Sequence, residues 1–393
     1  MRNSGWKFIL TTFVLSRLFF FGVGIVAAAF LPWVEVYKVP EALDFLEPWT
    51  HWDGQVYLAI AGEGYYDVYY DVDSPSPEPT AFFPFFPLLM RLGAALGGPA
   101  ALWGVLISLV ATFCALYFMY RIAEKHWGQK VARNAVLTFA FFPTAFFLNA
   151  VYSEALFVAF AAGSYWAAYV RRDLLLAGLW GALATATRNS GVLLLIPLVY
   201  LWLRNRSEFG WRGLWELALV LVGLLGYMIF LWYHFGDPLM FANAQTTGWG
   251  RELTNPLASL EDAWTSAADG LKYVLDPATL FLEQSPVPSL EASNAVNLIF
   301  LILFLVLMAI GFAILPPGLS VYSFLVTLPA ILTPAAGLPL MSLPRFLLGA
   351  FPLFFVLGYL LSYSRVALYL WLLVSASLGA GLTALFVTWR WVA

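Results

Sequence analysis

The chain is short of charge. Lys, Arg, Asp and Glu make up 11% of its 393 residues, where a soluble globular protein is about a quarter charged. That shortage excludes a soluble single domain and a disordered chain. Its 20 basic and 23 acidic residues leave a net charge of −3, so no basic patch marks a nucleic-acid partner. Cysteine is almost absent. Cys114 stands alone, so no intrachain disulfide can form, and its apolar surroundings give it the role of a small core residue. No repeat of 20–50 residues and no inverted pair of broken helices stands out, which argues against a secondary transporter.

What the chain has in plenty is apolar surface. Hydrophobic residues reach 62% and aromatics 18%, and the mean hydropathy is +0.80. This is the composition of an all-α integral membrane protein with many spans, since about 20 apolar residues cross a bilayer as a helix. The first run, Phe8 to Trp33, follows Arg2 and Lys7 and contains Ala27-Ala28-Ala29. It exceeds the roughly 7–15 apolar residues of a signal peptide, so it reads as a retained helix. Further runs lie near 98–120, 134–150, 153–170, 174–188, 190–203, 213–235, 294–315, 319–336, 345–362 and 366–389. The expectation is about eleven spans in one transmembrane domain over residues 1–393.

Lys and Arg set the orientation. Arg121, Lys125, Lys130 and Arg133, then Arg171 and Arg172, then Arg204, Arg206 and Arg212, and finally Arg365 all fall on the N-terminal side if every run crosses once. That side is expected to be cytoplasmic. Two long segments, 34–97 and 236–293, then face outward and hold most of the acidic residues. Arg390 falls outside and fits the rule poorly. The one glycosylation sequon, Asn205-Arg206-Ser207, falls on the cytoplasmic side. An absence of outward sequons suits a bacterial cytoplasmic membrane, with the endoplasmic reticulum as the eukaryotic alternative.

The most informative stretch is His51 to Tyr65. Trp52, Val56, Tyr57, Ile60 and Ala61 follow helical spacing, but the segment is too short and polar to span. It reads as a helix at the outer interface. Asp53 falls at its start, where the helix dipole favours a carboxylate. Asp53 can be a plain cap. Its neighbours His51, Trp52 and Gln55 suit sugar or phosphate recognition better, and Tyr57 lies one turn further on the same side. Next comes Ala81-Phe82-Phe83-Pro84-Phe85-Phe86-Pro87. Its prolines forbid a helix interior, and a short interfacial helix is expected from there to about Leu96. Its phenylalanines can cradle a lipid tail or form an ordinary aromatic belt.

Charges in or near spans are costly and usually face a partner or a site. Arg17 lies deep in the first run and reads as a structural residue paired with a carboxylate or backbone carbonyl. Glu154 follows Tyr152-Ser153 at the outer end of one hairpin. Arg188, beside Asn189, marks another, and Arg345 stands where the chain re-enters the membrane. All gather on the face of Asp53. A carboxylate can take a proton from a hydroxyl, and guanidinium forks match phosphate oxygens. The plainer reading of Arg188 and Arg345 is a structural ion pair, for instance with Glu154.

Taken in order, His-Trp-Asp-Gly-x-x-Tyr-x-x-Ile-Ala at 51–61, Phe-Phe-Pro-x-Phe-Pro-Leu at 82–88, Tyr-Ser-Glu-x-Leu-Phe at 152–157, Arg-Asn-Ser-Gly at 188–191 and Pro-Arg-Phe at 344–346 resemble the glycosylphosphatidylinositol mannosyltransferase II (PIG-V type) family, its bacterial relatives most. Gly236-Asp237-Pro238, Gln245 and Trp249 also look familial. The resemblance implies a GT-C fold with an outward-facing site. It implies an inverting transfer of a sugar, by family name mannose, from a polyprenyl-phosphate carrier to an acceptor hydroxyl on a glycolipid, glycan or protein. Asp53 would be the general base. Arg345 and Arg188 would take the donor phosphate, and His51, Trp52, Gln55, Tyr57, Glu154 and Asn189 the substrates. One carboxylate suffices for a single displacement, unlike the glycosidase pair. Glu63 and Asp67 lie roughly three to four helical turns further on. No obligatory metal is expected; Asp71-Val72-Asp73 is the place for a divalent ion if one is used. A carrier or flippase for a lipid-linked sugar, and a non-catalytic glycolipid-binding subunit, remain as alternatives.

Overall fold

A computed structural model describes residues 2–34, 45–65 and 78–392. Among these residues the chain is helical throughout, with no strand. The helices are α1 (Arg2–Phe30), α2 (Asp53–Gly62), α3 (Phe85–Leu96), α4 (Ala100–Trp127), α5 (Gln129–Ala140), α6 (Glu154–Trp166), α7 (Leu174–Thr187), α8 (Leu195–Arg204), α9 (Arg212–Ala218), α10 (Val222–Phe235), α11 (Met240–Trp249), α12 (Pro256–Val274), α13 (Val287–Ile314), α14 (Pro317–Thr327), α15 (Leu343–Phe346), α16 (Pro352–Leu360) and α17 (Arg365–Val387).

Five helical stretches are long and apolar enough to cross a membrane: Gly5–Phe30, Ala100–Trp127, Arg212–Phe235, Val287–Ile314 and Arg365–Val387. A sixth candidate is a pair, Leu343–Gly349 and Pro352–Leu360, bent by 89°. The expected eleven spans are not reproduced by length, and the reasons are local. Proline breaks the run near 319–336 at Pro329 and the run near 345–362 at Pro352. The run near 174–188 becomes a helix of 14 residues, rising roughly 21 Å against a hydrocarbon core of about 30 Å. Burial accounts for the apolar character of the hairpin near 134–170. Almost every side chain from Phe142 to Tyr165 is buried against protein, and a helix surrounded by protein is as apolar as one surrounded by lipid.

The two short helices expected within residues 34–97 form where the spacing placed them. α2 begins at Asp53, and α3 has Pro84 as its cap and Pro87 in its first turn, positions a proline tolerates because no helical N–H is lost there. On α3 Leu88, Leu92 and Leu96 stay exposed, at successive turns of one side. Asp71-Val72-Asp73 and Asp67 lie outside the described residues.

Arg17 is buried and donates to the carbonyls of Ala140 and Ala145, both at 2.8 Å, and to Asn149 Oδ1 at 2.6 Å. It is the structural residue the sequence indicated. Arg390 is likewise a clamp. Its guanidinium reaches the carbonyls of Pro32 at 2.8 Å and Glu283 at 2.7 Å, joining the end of α1 to the segment before α13. Its misfit to the charge rule follows, since a buried cation bound to carbonyls carries no topological signal.

The cationic loops gather at one end. Lys125 donates to the Tyr169 carbonyl at 2.6 Å, and Arg172 pairs with Asn205 and Glu208, each at 3.0 Å. Arg188 closes the opposite end of α7. The candidate site therefore lies at the end of the bundle away from those loops.

Candidate active site

α2 is fastened at its first turn. Val151 N–H donates to the Trp49 carbonyl at 2.8 Å, and Tyr152 Oη to the His51 carbonyl at 3.0 Å. Tyr57 Oη donates to Ser153 Oγ at 2.7 Å. Trp52, just before the helix, has φ of +56°, a region that disfavours a bulky side chain and stores strain. These contacts hold Asp53 against the start of α6.

There Asp53 meets Arg345, 292 residues away in sequence. Arg345 Nη1 lies 2.5 Å from Asp53 Oδ2, Nη2 donates to Ser342 Oγ at 3.2 Å, and Nε is 3.3 Å from Glu154 Oε1. Glu154 Oε1 also receives Arg188 Nη1 at 2.6 Å. The four side chains form an alternating chain, Asp53–Arg345–Glu154–Arg188. The Arg345 guanidinium lies over the rings of Phe147, Tyr152 and Phe346 at 5.7, 5.3 and 5.2 Å, contacts favourable to a cation. The Tyr-Ser-Glu and Pro-Arg-Phe motifs thus meet as cage and cation.

Local backbone places the arginines. Ser342 takes φ of +65°, and Pro344 sits in the first turn of α15, turning Arg345 into the cavity. Arg188 ends α7 in an extended conformation. Gly191 follows because its backbone crosses α7: a Cβ there would lie 2.7 Å from Ala184 C.

This network lines a cavity of about 400 Å³ that also takes in Tyr57, Phe82, Asn189, Gln245, Trp249 and Arg251. Burial, above all, pushes the Tyr57 hydroxyl pKa up, with Glu154 and Asp53 adding to the effect and Arg188 opposing it. The two carboxylates differ in access. The Asp53 side chain is 25% exposed and that of Glu154 only 4%, so Asp53 is the one open to a substrate. Among the described residues no three His, Cys, Asp or Glu side chains cluster as a metal site.

The structure thus brings together Asp53, Tyr57, Glu154, Arg188, Asn189 and Arg345 of the residues nominated from sequence. It does not bring His51, Trp52 or Gln55 to the cavity. His51 is fully buried, with Nδ1 3.0 Å from the Phe386 carbonyl, Nε2 2.9 Å from Glu47 Oε1, and its ring stacked on Trp389. Trp52 packs edge-on against Trp389 and Trp391. Gln55 turns back to Thr50. Asp237 of Gly-Asp-Pro binds the Leu239 N–H and Asn243, fixing the start of α11.

Arg251 joins the cavity from the turn between α11 and α12. Its Nη1 and Nη2 donate to the carbonyls of Thr333 and Met341 at 3.3 and 3.1 Å. Burial first, then the nearby Arg345 charge, lowers its pKa to about 10, against the pull of Asp53. It remains charged at neutral pH.

Residues 35–205 match the mannosyltransferase (PIG-V) family model. That stretch contains Asp53, Glu154 and Arg188, while Arg345 lies beyond it and reaches the same cavity through the fold. No match was found among curated proteins. The chain is similar in structure to ArnT from Cupriavidus metallidurans, crystallised bound to undecaprenyl phosphate, with a TM-score of 0.52, 14% identity, and coverage of 97% of this chain and 65% of that one. The archaeal oligosaccharyltransferase AglB from Archaeoglobus fulgidus, solved with an inhibitory peptide and a dolichol-phosphate, matches with a TM-score of 0.45, 12% identity, and coverage of 97% and 56%. The chain spans less than two thirds of the length of either structure. The likeness to ArnT gives the fold, a GT-C-type helical bundle.

Proposed function

We propose that the protein is an inverting glycosyltransferase of the membrane. It moves a sugar, by family resemblance mannose, from a polyprenyl-phosphate carrier to an acceptor hydroxyl on the extracytoplasmic face. The observation that carries this reading is the contact of Asp53 with Arg345 at a cavity large enough for a sugar phosphate. A carboxylate beside a guanidinium is a base next to an anion receptor.

Asp53 accepts the proton of the acceptor hydroxyl as its oxygen attacks the anomeric carbon. The bond from that carbon to the phosphate oxygen breaks, and its electron pair leaves with the phosphate. Arg345 and Arg188 hold that phosphate, whose negative charge grows as the bond breaks; stabilising developing charge is what lowers the barrier. Asn189 and Tyr57 line the same space as polar partners for the sugar. His51, Trp52 and Gln55 support the reaction by fixing the start of α2. Phe82 and the exposed leucines of α3 offer an apolar path for the carrier chain.

The experiment is transfer from polyprenyl-phosphate-mannose in nanodiscs, scored by release of free polyprenyl phosphate. Wild-type protein consumes the donor and the folded Asp53→Asn variant does not. Full turnover by the variant would exclude Asp53 as the base.

A further inference from the structure

The charges of the cavity do not cancel, and the excess sits on one residue. Asp53, Arg345, Glu154 and Arg188 alternate in sign through contacts of 2.5, 3.3 and 2.6 Å, so their formal charges sum to zero. Arg251 stands outside that chain. Its partners are the backbone carbonyls of Thr333 and Met341, which orient a guanidinium without neutralising it. Among the described residues no carboxylate lies within ion-pair distance of it. A half-buried cation without a counter-ion is unfavourable unless something supplies the charge.

We propose that Arg251 receives the carrier phosphate together with Arg345, with Arg188 completing the grip. This rests on the glycosyltransferase reading above. Arg251, Arg345 and Arg188 all lie over the ring of Phe346, with guanidinium carbons 5.9, 5.2 and 5.1 Å from its centre. They present their forks to one space. The arginines nominated from sequence, Arg345 and Arg188, already have carboxylate partners, so Arg251 supplies the unspent charge.

The chemistry gives Arg251 a role beyond binding. The donor is a phosphodiester with one negative charge. The departing polyprenyl phosphate is a monoester carrying up to two. The charge that Arg251 neutralises therefore grows along the reaction, and an interaction that strengthens toward the transition state raises turnover. A phosphate held by these arginines also competes with Asp53 for Arg345. It frees the base when donor is present.

The test is direct binding of farnesyl phosphate, a short prenyl monophosphate, to the purified full-length protein in detergent, with farnesol as the uncharged control. Wild type is expected to bind the phosphate in preference to the alcohol. Arg251→Gln should weaken the phosphate roughly tenfold or more and leave farnesol unchanged. Arg251→Lys, which keeps the charge but loses the fork, should weaken it several-fold. Wild-type affinity in the folded glutamine variant overturns the assignment and leaves the enzyme reading standing. If the glutamine variant does not fold, the lysine variant decides: several-fold loss supports the assignment and wild-type affinity overturns it. Equal binding of phosphate and alcohol by wild type contradicts the carrier-phosphate reading itself.

Discussion

At the scale of residues, the site depends on a few buried polar contacts with defined jobs. Glu154 lies between two arginines and is nearly inaccessible. Removing one partner of a buried ion pair leaves the others unpaired and costs about 3–5 kcal/mol. Glu154→Gln should therefore lower the melting temperature in detergent as well as activity; an unchanged melt with activity lost would make Glu154 a substrate ligand only. His51 bridges Glu47 and the Phe386 carbonyl. His51→Ala should destabilise the fold by about 2 kcal/mol and reduce turnover through displacement of Asp53. Thermal melts check this, and a variant of wild-type stability would show that the bridge carries little. The sequence made the type of these residues legible but not always the job. A histidine beside Trp-Asp-Gly reads as a ligand until the fold shows the Phe386 carbonyl, more than 300 positions away, accepting a hydrogen bond from its ring.

At the scale of elements, close approach decides where helices can sit. On α7, a Cβ at Gly178 would lie 2.0 Å from the Glu216 carbonyl of α9, and on α10 one at Gly223 would lie 2.1 Å from the Ala182 carbonyl. The two glycines let backbones touch, as small residues do in membrane bundles. Gly178→Val should separate α7 from α9 and lower stability by about 1–3 kcal/mol or more, read as a reduced melting temperature; an unchanged melt would refute the close packing. α2 and α3 were legible because helical spacing, Asp53 and two prolines mark them locally. The span count was not. Hydropathy reports how apolar a segment is and not whether lipid or protein surrounds it, and among the described residues length admits five spans, or six with the bent pair α15–α16.

At the scale of the whole molecule, the cationic loops and the arginine-lined cavity occupy opposite ends. Lys and Arg in short loops mark the cytoplasmic side, and on that rule the proposed orientation turns the cavity outward. In a Cys114→Ala background, a membrane-impermeant maleimide added to intact cells should label Gln284→Cys and spare Ser207→Cys. The reverse pattern would turn the site to the cytoplasm. The meeting of Asp53 with Arg345 was legible only as a shared face. Their contact, and the arrival of Arg251 beside them, come from packing among segments hundreds of residues apart, which spacing along the chain does not encode.

The central claim is that Asp53 is the base for transfer from a lipid-linked sugar. Release of free polyprenyl phosphate from polyprenyl-phosphate-mannose, measured in nanodiscs with and without the Asp53→Asn change and with melts confirming both proteins folded, tests it most directly. The account predicts release by wild type and none by the variant. Equal release by both would contradict it.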